Sequence, residues 1–163
     1  MLIILEGVDG SGKTTLCSQL EGLGATKISI DRGTKNQYGQ YFYSRMKYEP
    51  TCDFLVTDRS FISDLVYRLE DGKDRDDMTL MEMCSLLKND TKIILCETET
   101  SFEDAMLRGE DNITDKKRSE NIKYLYNLVI TMFGKFQNIP VYKYNWKKQN
   151  IDDVINFIKE VKK

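Results

Sequence analysis

Short apolar runs punctuate the chain at regular intervals, and each is followed by a stretch with helical spacing. Residues 2–6 (LIILE) are almost continuously apolar and bounded by glycine, the pattern of a strand buried on both faces. Residues 26–30 (TKISI), 53–57 (DFLVT), 92–96 (KIILC) and 139–144 (IPVYKY) supply four further strands, the third ending at Asp58. Between them, residues 13–22 read as a helix closed by Gly22 and Gly24. Residues 35–48 carry Tyr38, Tyr41, Phe42, Arg45 and Tyr48 at helical spacing. Helices are predicted at 61–70 and 77–88, split by DGKDRDD, and near 101–108. Ile122, Leu125, Tyr126, Val129, Met132, Phe133 and Phe136 mark one long amphipathic helix, and residues 151–161 end the chain as another. Strands alternating with helices predict an α/β fold in which helices cover both faces of a five-stranded parallel sheet. With 163 residues and no linker or repeat, one domain over 1–163 is expected.

Composition narrows the chemistry. A hydrophobic share of 40% and a charged share of 31% fit an ordinary globular core. A net charge of −2 provides no chain-wide basic field for nucleic acid. There is no histidine, which excludes Ser-His and Cys-His mechanisms and histidine metal sites. Cys17, Cys52, Cys84 and Cys96 lack CxxC spacing, so they read as small apolar residues and not as a zinc site. The opening MLIILEG is too short for a signal peptide or a membrane span, so the expected location is the cytoplasm, with no membrane partner.

Gly7-Val8-Asp9-Gly10-Ser11-Gly12-Lys13-Thr14 matches GxxxxGK[ST], directly after the first strand and directly before the first helix. Glycines there let backbone N–H groups turn toward phosphate oxygens, and the helix N-terminus adds partial positive charge. Lys13 would reach the terminal phosphates and the Thr14 hydroxyl would ligate Mg²⁺, making ATP and Mg²⁺ the expected cofactors in a P-loop NTPase three-layer fold. Asp58-Arg59-Ser60 lies at the carboxyl end of a strand, the ligand-binding edge of a parallel sheet. There Asp58 could hold the metal or take a proton, and Arg59 could clamp a phosphate. The polar stretch 108–118, with Arg108, Lys116, Lys117 and Arg118, reads as a mobile basic lid, placed at about 109–118. Tyr41 and Arg45 stand one turn apart and could stack a base and contact its edge, within an acceptor region at about 31–50.

These residues resemble a family. MLIILEGVDGSGKTTL is similar to the start of thymidylate kinases, which read close to EGxDGxGKTT and share the acidic residue here numbered Asp9. Asp58-Arg59 through Ser63 to Tyr67 resembles that family's DRY-type motif, with Ser60 in place of its aromatic, and Arg108-Gly109 with Arg118-Ser119-Glu120-Asn121 resembles its RG…RxEN lid. The resemblance implies a cofactor set of Gly7, Asp9, Gly10, Ser11, Gly12, Lys13, Thr14, Thr15 and Arg108, with Lys13, Asp58, Arg59 and Arg118 catalytic. It implies an acceptor set of Asp9, Asp31, Arg32, Tyr41, Arg45, Arg59 and Ser63. The segment between strands two and three is shorter than in the family, and Asp31-Arg32-Gly33-Thr34 replaces its REPGG-type turn.

The expected activity is phosphoryl transfer from ATP to a thymidylate-like deoxynucleoside monophosphate. DRSFISDLVYR is also similar to the ERS-type motif of deoxynucleoside kinases, in which Asp31 would stand near the base. The acceptor could thus be a nucleoside hydroxyl, or a hydroxymethyl pyrimidine, free or in DNA, as in phage-type enzymes. A reading of another class is a regulatory P-loop switch; no NKxD-type guanine motif is present. A homodimer is one assembly open to the chain.

Overall fold

The computed structural model describes residues 1–29, 37–72, 90–109 and 115–160, with only the backbone for 37, 38, 41 and 42. In chain order the elements are β1 (Leu2–Glu6), α1 (Lys13–Gly22), β2 (Thr26–Lys27), α2 (Gln37–Tyr48), a 3-10 turn at Glu49–Thr51, β3 (Leu55–Asp58), α3 (Phe61–Glu70), β4 (Thr91–Cys96), α4 (Ser101–Leu107), α5 (Lys116–Phe136), β5 (Val141–Tyr144) and α6 (Ile151–Lys159). The strands form one sheet in the order β2-β3-β1-β4-β5. Every neighbouring pair is parallel. The three-layer α/β expectation therefore holds.

Strand parity divides the core. Leu2, Ile4, Leu55, Ile93 and Leu95 point to the face covered by α3 and α5, where Phe61, Ile62, Val66, Ile122, Tyr126 and Phe133 meet them. Ile3, Leu5, Val56, Ile94 and Cys96 point to the other face, against Leu16, Cys17 and Leu20 of α1 and Val154 and Ile158 of α6. Because both faces are buried, the central strands are apolar at nearly every position instead of alternating. Phe61 and Phe133 close the first layer edge to face, with centroids 5.8 Å apart.

Element ends follow local chemistry. Ser60 caps α3 by accepting from Ile62 N, Asp115 caps α5 by accepting from Lys117 N, and Asn150 with Asp153 forms a capping box on α6. The cap at Asp115 makes 116–118 the first turn of a helix, so the last residues of the lid expected over 109–118 are helical; residues 110–114 lie outside the described residues. β2 pairs at two residues only, because it is an edge strand with a single neighbour, and Ile30 lies outside the described residues. β5 starts after Pro140, which has no N–H, while the Pro140 carbonyl accepts from Ile93 N. The helix expected at 77–88 and Cys84 also lie outside the described residues.

Lys92 is the charged residue in an otherwise apolar strand, and it is buried. Its Nζ donates to the carbonyls of Phe157, Ile158 and Glu160, the orphan acceptors at the end of α6. The stem lies in the core while the ammonium closes the helix. Lys92→Met keeps the stem and removes the donor. It should lose about 1–3 kcal/mol, lowering Tm by roughly 3–8 °C with nucleotide affinity unchanged. Calorimetry checks this, and a wild-type Tm would show that the carbonyls need no ammonium.

Candidate active site

At the carboxyl edge of the sheet, β1 turns through residues 7–12 into α1. Gly10 and Gly12 have φ of 80° and 90°, values that favour glycine. A Cβ on Gly10 would overlap the Ser101 carbonyl, and one on Gly12 would lie 2.5 Å from Trp146 Cδ1. The loop is thus packed against α4 and against Trp146, two residues past β5. Gly12 is also the N-cap of α1, and no side chain caps that helix, unlike α3, α5 and α6. The first-turn N–H groups of α1 are left for an anion.

Lys13 opens α1 and is only 5% exposed. Its Nζ donates to Val8 O at 2.6 Å and to Ser11 Oγ at 3.4 Å. Burial, followed by repulsion from Arg59, lowers its pKa to about 8. The surroundings therefore disfavour the ammonium, and a phosphate beside it would reverse the balance. Thr14 Oγ1 donates to Asp58 Oδ2 at 2.7 Å, because parallel pairing sets Asp58 opposite Leu5 at the same sheet edge. A hydroxyl and a carboxylate are the hard oxygen donors that Mg²⁺ takes. Among the described residues no cluster of three ligating side chains exists. A cation held by Thr14 and Asp58 would complete its shell with phosphate oxygens and water, so the residues fit the expected metal.

Arg59 follows with φ 75°, a left-handed value rare for a residue with a side chain. Its buried guanidinium is ion-paired to Asp9 of the loop and donates to Gly7 O at 3.3 Å and Tyr126 Oη at 2.9 Å. Burial alone would lower the pKa of this group, but Tyr126, Tyr67, Asp9 and Glu6 outweigh it and the net shift is upward. Under Arg59 lies Glu6, fully buried, accepting hydrogen bonds from the Ser60 and Ser63 hydroxyls.

Lys13, Thr14, Asp58, Asp9 and Arg59 are thus brought together, as expected from the sequence. Other candidates are not. Arg45 sits at the opposite edge of the sheet, bound through Nε to Glu49 and through Nη2 to both carboxylate oxygens of Asp90, beside the chain's amino terminus. The upward shift of its pKa comes from those carboxylates, chiefly Asp90, acting against burial. Arg45 falls in the last turn of α2, where these carboxylates engage it away from the phosphate loop. Arg118 is also displaced. It pairs with Glu70 at 2.8 Å and Asp71 at 3.3 Å, because the first turn of α5 meets the end of α3. Ser63 is 1% exposed and bonded to Glu6 and Tyr126, so it supports the site from beneath and does not face a ligand. Asp31, Arg32 and the Tyr41 side chain lie outside the described residues.

Beside the loop a pocket of 290 Å³ is lined by Gly10, Gly12, Thr15, Asp104, Leu107, Arg108 and Trp146. Arg108 is the C-cap residue of α4, and its Nε donates to Asp104 O. Lys147 pairs with Asp104 at 2.7 Å and lies 5.1 Å from the Trp146 ring centroid, tying the loop after β5 to α4.

Sequence reasoning missed Glu6 and Tyr126 here. Glu6 has a signal: it is the one charge ending an apolar strand, with the parity of Leu2 and Ile4. Trp146 lies in the loop after β5, near 145–148, where the sequence reading places the donor's adenine. Tyr126 sits in an apolar stripe, and only the tertiary structure sets its hydroxyl against Arg59.

No protein-family model and no curated protein matches the sequence. Solved structures do match. A YorR protein from Bacillus subtilis, in complex with phosphorylated GDP, is similar at 21% identity and a TM-score of 0.70, covering 98% of this chain and 96% of its own. Deoxyadenosine kinase from M. mycoides with bound dATP is similar at 16% identity and a TM-score of 0.62, covering 98% and 100%. Thymidylate kinase from Candida albicans is similar at 18% identity and a TM-score of 0.54, covering 95% and 87%. The chain therefore has, over nearly its whole length, the fold found in deoxyadenosine and thymidylate kinases.

Proposed function

We propose that the chain is an ATP- and Mg²⁺-dependent kinase that phosphorylates a deoxynucleotide or deoxynucleoside. The observation that carries this reading is the uncapped start of α1, with buried Lys13 and the Thr14–Asp58 pair on one sheet edge. The kinase names of the structural neighbours support it further. In this reading the loop N–H groups and Lys13 hold the donor's terminal phosphates. Mg²⁺, when bound by Thr14 and Asp58, neutralises charge on those phosphates. Lys13 gains most as charge builds on the transferring group, because its ammonium is desolvated beforehand. The pocket between Arg108 and Trp146 takes the donor's base, the aromatic ring and the guanidinium offering it flat faces.

The acceptor has two readings. The motif resemblance supports a thymidylate-like monophosphate, with Arg59 as its cation and Asp9 near its sugar. A specific observation favours the second reading, a hydroxyl acceptor. Arg45 and Arg118, two of the cations a monophosphate would use, are bound to carboxylates elsewhere, and Arg59 is already paired with Asp9. Incubation with labelled ATP and a panel of deoxynucleosides, deoxynucleotides and hydroxymethylated DNA separates the readings by which acceptor gains label. Label transfer to none, with slow hydrolysis of ATP alone, would mark a regulatory switch.

Lys13→Met should lower turnover by about two to four powers of ten. The same change should raise stability by about 1–2 kcal/mol, because it removes a buried cation poorly matched to its surroundings. A variant that is both active and no more stable contradicts the role given to Lys13. Trp146 is the only tryptophan in the chain, so its emission reports on the pocket. Titration with Mg-ATP should change that emission saturably, and Trp146→Ala should raise the KM for ATP about tenfold with little change in kcat. An unresponsive emission with normal turnover would place the base elsewhere.

A further inference from the structure

The polar groups under the phosphate loop form a directed chain. Ser63 Oγ lies 2.6 Å from Glu6 Oε2 and 2.7 Å from Tyr126 Oη, and Arg59 Nη1 donates to that same Oη at 2.9 Å. The hydrogen count fixes the direction. A guanidinium has no acceptor, so Tyr126 cannot donate to Arg59, and its proton goes to Ser63 Oγ. Ser63 then has its own proton left for Glu6 Oε2. Ser60 Oγ accepts from Ile62 N and spends its proton on Glu6 Oε1. This pattern works only with Glu6 as a carboxylate; a protonated Glu6 would leave one of these buried hydroxyls without an acceptor in the group. Burial is the largest influence on Glu6 and keeps its pKa raised, while the Ser60 and Ser63 hydrogen bonds, Arg59 and Lys13 pull it back down; the hydrogen-bond geometry is what marks the carboxylate.

At the far end of the chain, Arg59 adopts a left-handed backbone conformation that a side chain rarely takes. Such a residue is held by its surroundings. Four acceptors surround its guanidinium: the Asp9 carboxylate, the Gly7 carbonyl, the Tyr126 hydroxyl at 2.9 Å and, at the longer distance of 3.5 Å, Ser63 Oγ. Asp9 and Gly7 belong to the loop itself. Tyr126 comes from α5, on the opposite side of Arg59 in sequence, and is fully buried.

We propose that Tyr126 is the positioning residue of Arg59, its hydroxyl, oriented through Ser63 by the buried Glu6 carboxylate, fixing the guanidinium against the phosphate loop. This rests on the kinase reading only for what Arg59 does in turnover. The hydroxyl's role in phosphate binding stands apart from it.

A double-mutant cycle tests this. Tyr126→Phe removes only the hydroxyl, and Arg59→Gly removes the guanidinium while suiting the left-handed backbone. Both, and the double variant, are measured for kcat/KM with ATP and the best acceptor, and for Kd of inorganic tripolyphosphate by calorimetry. Tyr126→Phe should weaken each by about tenfold in the wild-type background and leave each unchanged in the Arg59→Gly background. An effect that multiplies with Arg59→Gly, or no effect in the wild type, overturns the proposal. If the wild type transfers no phosphate but the tripolyphosphate cycle is non-additive, the kinase reading fails and the positioning role stands. Should Tyr126→Phe fail to fold, Ser63→Ala, which removes the oxygen that receives the tyrosine's proton, runs through the same cycle under the same criteria.

Discussion

Two largely buried cations, Lys13 and Arg59, lie close together, and the rest of the site is arranged around that constraint. Each lowers the other's comfort: repulsion from Arg59 is the second cause, after burial, of the depressed Lys13 pKa. Buried charges persist only when paired and hydrogen-bonded. Asp9, Asp58 and Glu6 supply that compensation from the loop, from β3 and from β1. The arrangement leaves Lys13 short of partners, with a carbonyl and a distant hydroxyl, beside a helix start that no side chain caps. Under the proposed function, that shortfall is what would give an incoming phosphate its advantage.

The parallel sheet makes this concentration of charge possible. All strands run in one direction, so their carboxyl ends share an edge, and β1 lies between β3 and β4. The loop after β1, Asp58-Arg59 after β3 and the segment after β4 therefore converge. Parity then divides the work. Glu6 falls on the face of α3 and α5, where Ser60, Ser63 and Tyr126 can reach it, while Lys13 begins the helix that packs on the opposite face. The cap of α3 is part of the same network, since Ser60 both holds the helix start and donates to Glu6.

Much of this was legible in the residue order. Apolar runs bounded by turn residues are local signals, and β1, β4, α1, α3 and α6 lie within two residues of where the pattern places them. The phosphate loop was equally legible, because its spacing between a strand and a helix is itself the physical device. The end of β2 was less so, as edge pairing depends on a neighbour and not on composition.

The placement of long polar side chains was decided by the tertiary structure. Arg45 and Arg118 have the residue type and the chain position for a phosphate site, yet each is drawn to carboxylates brought near by packing: Asp90 at the base of β4, and Glu70 at the end of α3. Residue spacing carries no information about such distant partners. The sequence by itself determined the sheet, its direction and the loop that ends β1, because those follow from period, apolar runs and glycine. Only the folded chain decided which arginine lies against the loop, because a flexible cation goes to the carboxylate nearest in space.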